Sequence, residues 1–536
     1  MDKNKKNAIV LSIVAVVTLI ALVVGATYAY FKAQGGTGSS TEVKVTTYTT
    51  DMLTFTTGSA ISLYADQSSF GQEKGSLSGE TFAKATLVAN NKTNEATDNY
   101  YVYFNIENNT FKYTLGNDKP ELILTVTGPD GNEVTELPEL VYKTVQDREN
   151  KTVKGFDVTT TNGLITIANK KTITATTDAT EEQYTLKLTF VNYEGDQTEN
   201  AKSKLSAKVM IQKEMIPQVV SDVCTNGDNL ATCITTLSGK SSASLTKIYY
   251  HDASLTNGSN DNSYRFAGAS DKVNNYVCFG SNVTPCPADN LYRIIGVFGD
   301  KVKLIKSDYA TSALLGADGN YQQAYTATRW GSSNYTSNYK GNNLANVAAY
   351  NWNKSNQNTW SLSNLNKTNL NTNFITNIGA EWSAKIAETT WKVGGNTIAN
   401  IAYQPAKTAY QNEIVNPVTT NSQDNKTEYS AKIGLMYVSD YMYAAPQDKW
   451  TLVGSGSATT DYGAASSVNW MYMGLLEWTI SREADYDSLV FILFDSGSLG
   501  NSNAFGAFAV RPVFNLTSSV NYASGSGSAA DPIVIN

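Results

Sequence analysis

Four cysteines and one histidine bound the sulfur and metal chemistry open to this chain. Cys224 and Cys233, and Cys278 and Cys286, form two closely spaced pairs. Neither has the C-x-x-C spacing of a zinc knuckle or redox motif. The single histidine, His251, sits among polar turn residues and leaves no Cys/His ligand set and no partner for a Ser/His/Asp triad. Two local disulfides in an oxidising compartment are expected, Cys224 with Cys233 and Cys278 with Cys286, because short loops bring their ends together most readily. Closing the first loop would stabilise the fold by roughly 2–3 kcal/mol. Glu194, Asp196 and Glu199 crowd one short stretch and read as a calcium cluster or as a solvated hairpin turn, with the turn the preferred reading. A paired-carboxylate hydrolase needs only two acids in a cleft, but no spacing here selects a pair. No catalytic residue, metal or cofactor is assigned, and the chain is not expected to be an enzyme.

The late stretch 474–516 holds the remaining candidates. It contains the corner Glu477-Trp478-Thr479, the apolar run 489–494, a small-residue loop from Asp495, and a closing Val510-Arg511-Pro512-Val513. Glu477, Trp478 and Arg511 lie beside strand-like apolar runs and are expected to face inward as structural core, the two charges pairing because a buried charge needs a partner. Residues 481–488 and 495–503 lack apolar periodicity. They carry Asp485, Tyr486, Asp487, Asn501 and Asn503, short polar and aromatic groups of the kind recognition loops use, and these five are the candidate ligand-binding residues. All eight tryptophans fall between Trp330 and Trp478. Most are expected to pack in a core, with Trp330 and Trp352, among asparagines and serines, the better surface candidates for stacking on a glycan.

The elements that must position these residues divide the 536-residue chain. Residues 1–34 combine a basic start (Lys3, Lys5, Lys6) with an apolar segment. Its residues 8–24 would reach about 25 Å as a helix, and the aromatic tail to Phe31 brings it to the ~30 Å of a hydrocarbon core. This is a transmembrane anchor or a cleaved signal, and in both cases the remainder is exported. Residues 35–41 form a Gly/Ser/Thr tether. Residues 42–215 alternate with period two, as in Tyr184, Leu186, Leu188, Phe190 and in Leu205, Ala207, Val209, Ile211, which predicts an all-β sandwich of jelly-roll type. Residues 216–245 are expected as a disulfide-containing connector and 246–536 as an α+β domain. That domain opens with a hairpin through Phe298-Gly299-Asp300-Lys301 and includes a helix over residues 378–391, with Ile378, Trp382, Ile386 and Ala387 on one face.

The order of glycine, EW corner, irregular loop and closing arginine strand resembles the formylglycine-generating-enzyme-like branch of the C-type-lectin-like fold. From Tyr292 to the Gly525–Ile535 close, the chain is similar to a domain of Gram-positive surface proteins. The resemblance implies a lectin-like fold with a ligand face built from late loops. The chemistry of formylglycine-generating enzymes needs late cysteines, and none follows Cys286. The N-terminal region, with Gly25-Ala26-Thr27-Tyr28-Ala29-Tyr30-Phe31 and a final strand pair joined by residues 192–197, resembles camelysin-like biofilm-fibre proteins.

A net charge of −7 argues against nucleic acid, and charged residues at only 17% beside 32 tyrosines suit an extracellular surface. The expected protein is a cell-surface adhesion or binding protein that displays a lectin-like domain on a β-sandwich stalk. It would meet a glycan or protein ligand while membrane-held, or secreted if the signal is cleaved. The alternative is a structural envelope or biofilm-matrix protein, and a carboxylate-dependent hydrolase is the third reading.

Overall fold

The computed structural model describes residues 51–70, 75–89, 95–116, 118–138, 140–176, 179–325, 344–396, 401–417, 426–454 and 468–536, with the short strands Lys32–Gln34 and Thr41–Val43. The expected membrane or signal segment, most of the tether and Trp330 lie outside the described residues. Among the described residues no helix is long and apolar enough to cross a membrane. The chain is mostly β-sheet, in several sheets, and divides into residues 1–216 and 217–536.

In the first unit the period-two sequences become two antiparallel sheets. One runs Lys32–Gln34, Lys204–Gln212, Ala96–Asn109, Gly163–Ala175, with Ile61–Tyr64 also on Lys204–Gln212. The other runs Thr41–Val43, Met52–Thr57, Leu77–Val88, Thr180–Phe190, Leu122–Thr127, Thr152–Asp157, Tyr142–Gln146. Alternate side chains of both sheets, among them Leu186, Leu188, Val209 and Ile211, meet in one core. Burying one face of each strand while wetting the other is what the alternation requires.

The last two strands do not form the expected hairpin. Thr180–Phe190 and Lys204–Gln212 belong to different sheets, and residues 191–203 carry the chain between them. That crossing is held from inside. Gln197 Nε2 donates to Val191 O at 2.9 Å, and the Tyr193 amide donates to Gln197 Oε1 at 2.7 Å. Glu194, Asp196 and Glu199 are exposed on its outside. Asp196 accepts from the Thr198 amide at 3.0 Å and Glu199 pairs with Lys112 at 2.7 Å, so two of these acids are spent on local contacts.

In the second unit the hairpin Leu291–Phe298/Lys301–Lys306 forms as the sequence predicts, Gly299 turning it at φ 64°. It centres a seven-stranded sheet with Ile248–Tyr250, Tyr264–Phe266, Tyr276–Cys278, Val513–Asn515 and Ile433–Gly434. A four-stranded sheet contains Gly395–Asn396, Glu477–Glu483, Leu489–Leu493 and Leu499–Asn503. The helix expected over 378–391 is only Ala380–Ala384, entered through Gly379 at φ 83°. Residues Thr389–Lys392 are a strand, and the longer helical run lies upstream, at Leu365–Phe374 and Ile375–Asn377. The apolar spacing there reflects burial of successive short elements, which periodicity alone does not separate from one helix.

Residues 217–245, expected as a connector, belong to this second unit. Val220, Leu230, Cys233, Ile234 and Leu237 are buried in the same core as Phe266 and Ile294. The helix Leu230–Lys240 is capped by Asn229, whose side chain accepts from the Thr232 amide at 3.0 Å. Asn229 also donates to Ser518 O at 2.7 Å, and the Gly227 amide donates to Tyr522 O at 2.8 Å, clasping the segment to the C-terminal strands. Both disulfides form as paired above, Cys224 to Cys233 and Cys278 to Cys286. Residues 217–536 should therefore melt cooperatively as a separate fragment, while 246–536, stripped of the Leu230–Lys240 helix, should not. Circular dichroism melts of the two fragments check this, and an equally cooperative 246–536 would show the helix to be dispensable.

Candidate functional site

The late framework residues are interior. Arg511 donates through Nε to Glu477 Oε1 at 2.7 Å, and through Nη2 to Glu477 Oε2 at 2.9 Å and to Met471 O at 2.7 Å. Both side chains are buried. Burial raises the Glu477 carboxyl above its ordinary range against the pull of Arg511. Trp478 is buried and donates to Tyr350 O at 2.8 Å. Trp352, expected at the surface, is also fully buried and donates to Thr479 O at 3.0 Å. Trp391, Trp450 and Trp470 likewise spend their indole N–H groups on backbone carbonyls, and Trp360 and Trp382 are buried. Trp391 borders the cavity described below; the other rings are packed inside the core.

The five candidate ligand residues are not on two free loops. Residues 481–483 finish the strand Glu477–Glu483, and Leu499–Asn503 is an edge strand registered on Leu489–Leu493, with Asn501 opposite Phe491 and Asn503 opposite Leu489. An edge strand takes its order from backbone pairing, so its polar side chains carried no apolar signal. Asn501 donates to Glu483 Oε1 at 2.7 Å. Asp485, Tyr486 and Asp487 lie on the turn between strands, which Asn358 ties down by donating to the carbonyls of Glu483, Tyr486 and Leu489 at 3.0, 2.6 and 2.9 Å. Asp485, Tyr486, which is 54% exposed, and Asn503 are the outward groups of the set.

A different arrangement has the properties of a site. A cavity of ≈ 220 Å³ is lined by Asp261, Arg265, Phe298, Lys303, Thr390, Trp391, Tyr410, Tyr437, Asp440 and neighbouring side chains. Lys303, from the central hairpin, places Nζ 2.5 Å from Asp440 Oδ2. Arg265, from Tyr264–Phe266, bonds Asp261 Oδ2 through Nη2 at 2.7 Å and Ser263 Oγ through Nε at 2.8 Å. Its Nη1 approaches Asp440 Oδ1 at 3.5 Å and makes no hydrogen bond. The guanidinium lies 4.6 Å from the Phe298 ring centre, and Lys303 Nζ lies 4.8 Å from that of Tyr437. Asp440 heads the helix Val438–Ala444, and its Oδ2 also accepts from the Tyr437 amide at 3.0 Å.

Burial sets the protonation around this cluster. It pushes Lys303 below its ordinary range despite Asp440. For Asp261, burial opposes ionisation, but the Arg265 charge and hydrogen bonds from Ser263 and Ser259 outweigh it and hold the carboxyl below the usual range. Behind the lining, Glu413 is pushed up to about 8, first by burial and then by the charge of Asp440, against hydrogen bonds from Ser439 and Ser481. His251 is not in an open polar turn. It is fully buried, 4.8 Å from Tyr443 and 4.9 Å from Trp450 between ring centres, with Nδ1 3.1 Å from the Ser259 amide. Burial and then Arg265 push it down to about 3.

Arg265, Lys303, Asp261, Trp391 and Asp440 were not singled out from the sequence. The available signal was an isolated charge in an otherwise apolar run, as with Lys303 in Val302-Lys303-Leu304-Ile305 and Asp440 in the segment 438–444. Such a charge must find a partner inside. Cys224, Asp228 and Cys233 cluster closely enough for a metal, but both sulfurs are in the disulfide. No protein family, curated protein or solved structure matches the chain.

Two outcomes are expected. Folded Glu413 keeps its proton up to about pH 8, whereas in the unfolded chain it titrates near 4.5, so stability falls as pH rises between those values. His251, neutral when folded, acts in the opposite sense below 6.5. Between pH 6.5 and 8, Glu413→Gln should therefore remove a stability loss of about 2 kcal/mol, read from denaturant melts at the two pH values. Arg511→Met should cost roughly 3–5 kcal/mol by stranding the Glu477 carboxyl, while Tyr486→Ala should leave the melt nearly unchanged.

Proposed function

We propose that the chain is an exported surface binding protein, held at the membrane or released, whose second unit is a C-type-lectin-like domain carrying the ligand site. The first unit, a β-sandwich of jelly-roll type, serves as its stalk. The observation that carries the reading is the ≈ 220 Å³ cavity, walled by ionised groups that packing and hydrogen bonds hold in place. Pre-positioned polar groups in a partly apolar hollow are what a small-molecule site needs, since little ordering remains to oppose binding. The two disulfides suit an oxidising exterior. The ligand site is assigned to the cavity and not to the turn holding Asp485, Tyr486 and Asp487, because the Tyr486 side chain stands exposed there and the backbone of the turn is already tied to Asn358.

A binding role fits better than hydrolysis. A paired-acid hydrolase needs a proton-donating carboxyl facing its substrate. Of the acids on the cavity wall, Asp261 is held ionised and Asp440 is engaged by Lys303 and Arg265. Glu413 does keep its proton at neutral pH, but it lies behind the lining.

Thr390 is exposed on the cavity rim, so Thr390→Trp should plug the hollow without disturbing the charges beneath. In a glycan-array and small-molecule thermal-shift screen of the full chain, ligands are expected to bind the parent and fail on Thr390→Trp at unchanged melting temperature. Ligands indifferent to the plug but lost on Tyr486→Ala would move the site to the strand turn, and a screen without a plug-sensitive ligand would overturn the reading.

A further inference from the structure

The walls of the cavity narrow the class of ligand. Its ≈ 220 Å³ is larger than the ~150 Å³ that accepts one benzene-sized guest and smaller than the ~300 Å³ at which drug-sized pockets begin. One small molecule fits. The wall charges are three cations, Arg265, Lys303 and Lys392, and two anions, Asp261 and Asp440; Lys392 is paired with Glu428 outside the wall, so the charges left to the lining are balanced and favour a guest without net charge.

One hydrogen-bonding group at the wall, a donor, is left without a bond. Arg265 Nη1 is a buried donor with no hydrogen bond, and 3.5 Å away Asp440 Oδ1 meets it only as an ion-pair contact. Asp440 takes its hydrogen bonds, from Lys303 and the Tyr437 amide, on Oδ2. A guest with a single charge would answer one of these groups and leave the other desolvated and opposed. A neutral hydroxyl answers both only with weaker bonds, because hydrogen bonds between ionised partners are about twice as strong. A carboxylate and an ammonium held one carbon apart answer both together. Phe298 and Tyr437 supply the apolar surface for the rest of such a guest.

We propose that this cavity binds a small zwitterion, a free α-amino acid or short amino-carboxylate. Its carboxylate accepts from Arg265 Nη1 and its ammonium donates to Asp440 Oδ1. The proposal rests on the reading of the cavity as the ligand site.

Isothermal titration of the full chain tests it with four probe sets: the free α-amino acids, their decarboxylated amines, their deaminated acids, and neutral hexoses. At least one amino acid should saturate a single site, and its amine and acid analogues should bind about tenfold to a hundredfold more weakly, the loss of one charge-assisted hydrogen bond. Thr390→Trp should abolish that binding at unchanged melting temperature. Equal binding of an amino acid and its amine or acid, or plug-sensitive binding of hexoses alone, would overturn the zwitterion while leaving the cavity as a site. Absence of plug-sensitive binding by every probe also overturns the zwitterion. The cavity assignment falls with it only when the wider screen has no plug-sensitive ligand either.

Discussion

Asp440 is the group on which the interior of the second unit depends. Lys303 and Arg265 are both about as buried as a side chain can be, and neither could stay there charged without a nearby anion. Asp440 meets both, Lys303 at 2.5 Å and Arg265 at 3.5 Å, while Asp261 takes the other edge of the guanidinium. Asp440 also caps the start of its own helix through the Tyr437 amide, so the same carboxylate orients the helix Val438–Ala444 and docks it on the strands Tyr264–Phe266 and Lys301–Lys306. Burial first, and then the nearest charge of this group, sets the neighbours: with Asp440 close by, Glu413 keeps its proton, and with Arg265 close by, His251 stays neutral.

The Glu477–Arg511 pair applies the same rule elsewhere in that core. Its bidentate geometry, with Met471 O taking a further guanidinium bond, satisfies a carboxylate and an arginine that have no access to water. Trp478 beside it bonds Tyr350 O and packs on Phe508 with ring centres 4.7 Å apart. The EW corner is thus structural: every polar atom that could attract a ligand there already has an internal partner of good geometry.

What was legible in the sequence was local. Alternation at Tyr184–Phe190 and Leu205–Ile211 marked strands because each strand buries alternate side chains, but it carried no information on which sheet a strand joins, and these two part company. The hairpin at Gly299 and both disulfides involve residues close along the chain, and their signals were sufficient. The cavity draws on residues from Asp261 to Asn515, brought together only by the fold, so no spacing in the chain could display it. The segment Leu499–Asn503 failed as a strand signal for a related reason: at a sheet edge the ladder to Leu489–Leu493 supplies the order, and the side chains are free to be polar. The stretch 217–245 read as a connector, yet Val220, Leu230, Ala231, Cys233, Ile234 and Leu237 are buried in the core of the second unit.

Asparagine has a structural role in the interior of the second unit. Asn275, Asn320, Asn358, Asn366, Asn369 and Asn469 are fully buried, and each donates its amide to a main-chain carbonyl. Such bonds do for irregular segments what ladder bonds do for strands, since a buried carbonyl without a donor costs about 1–3 kcal/mol. Asn369 serves Leu315 and Asp318 at 2.8 and 3.2 Å, and Asn358 serves three carbonyls of one turn. Long stretches with little regular structure are thereby held as firmly as sheet.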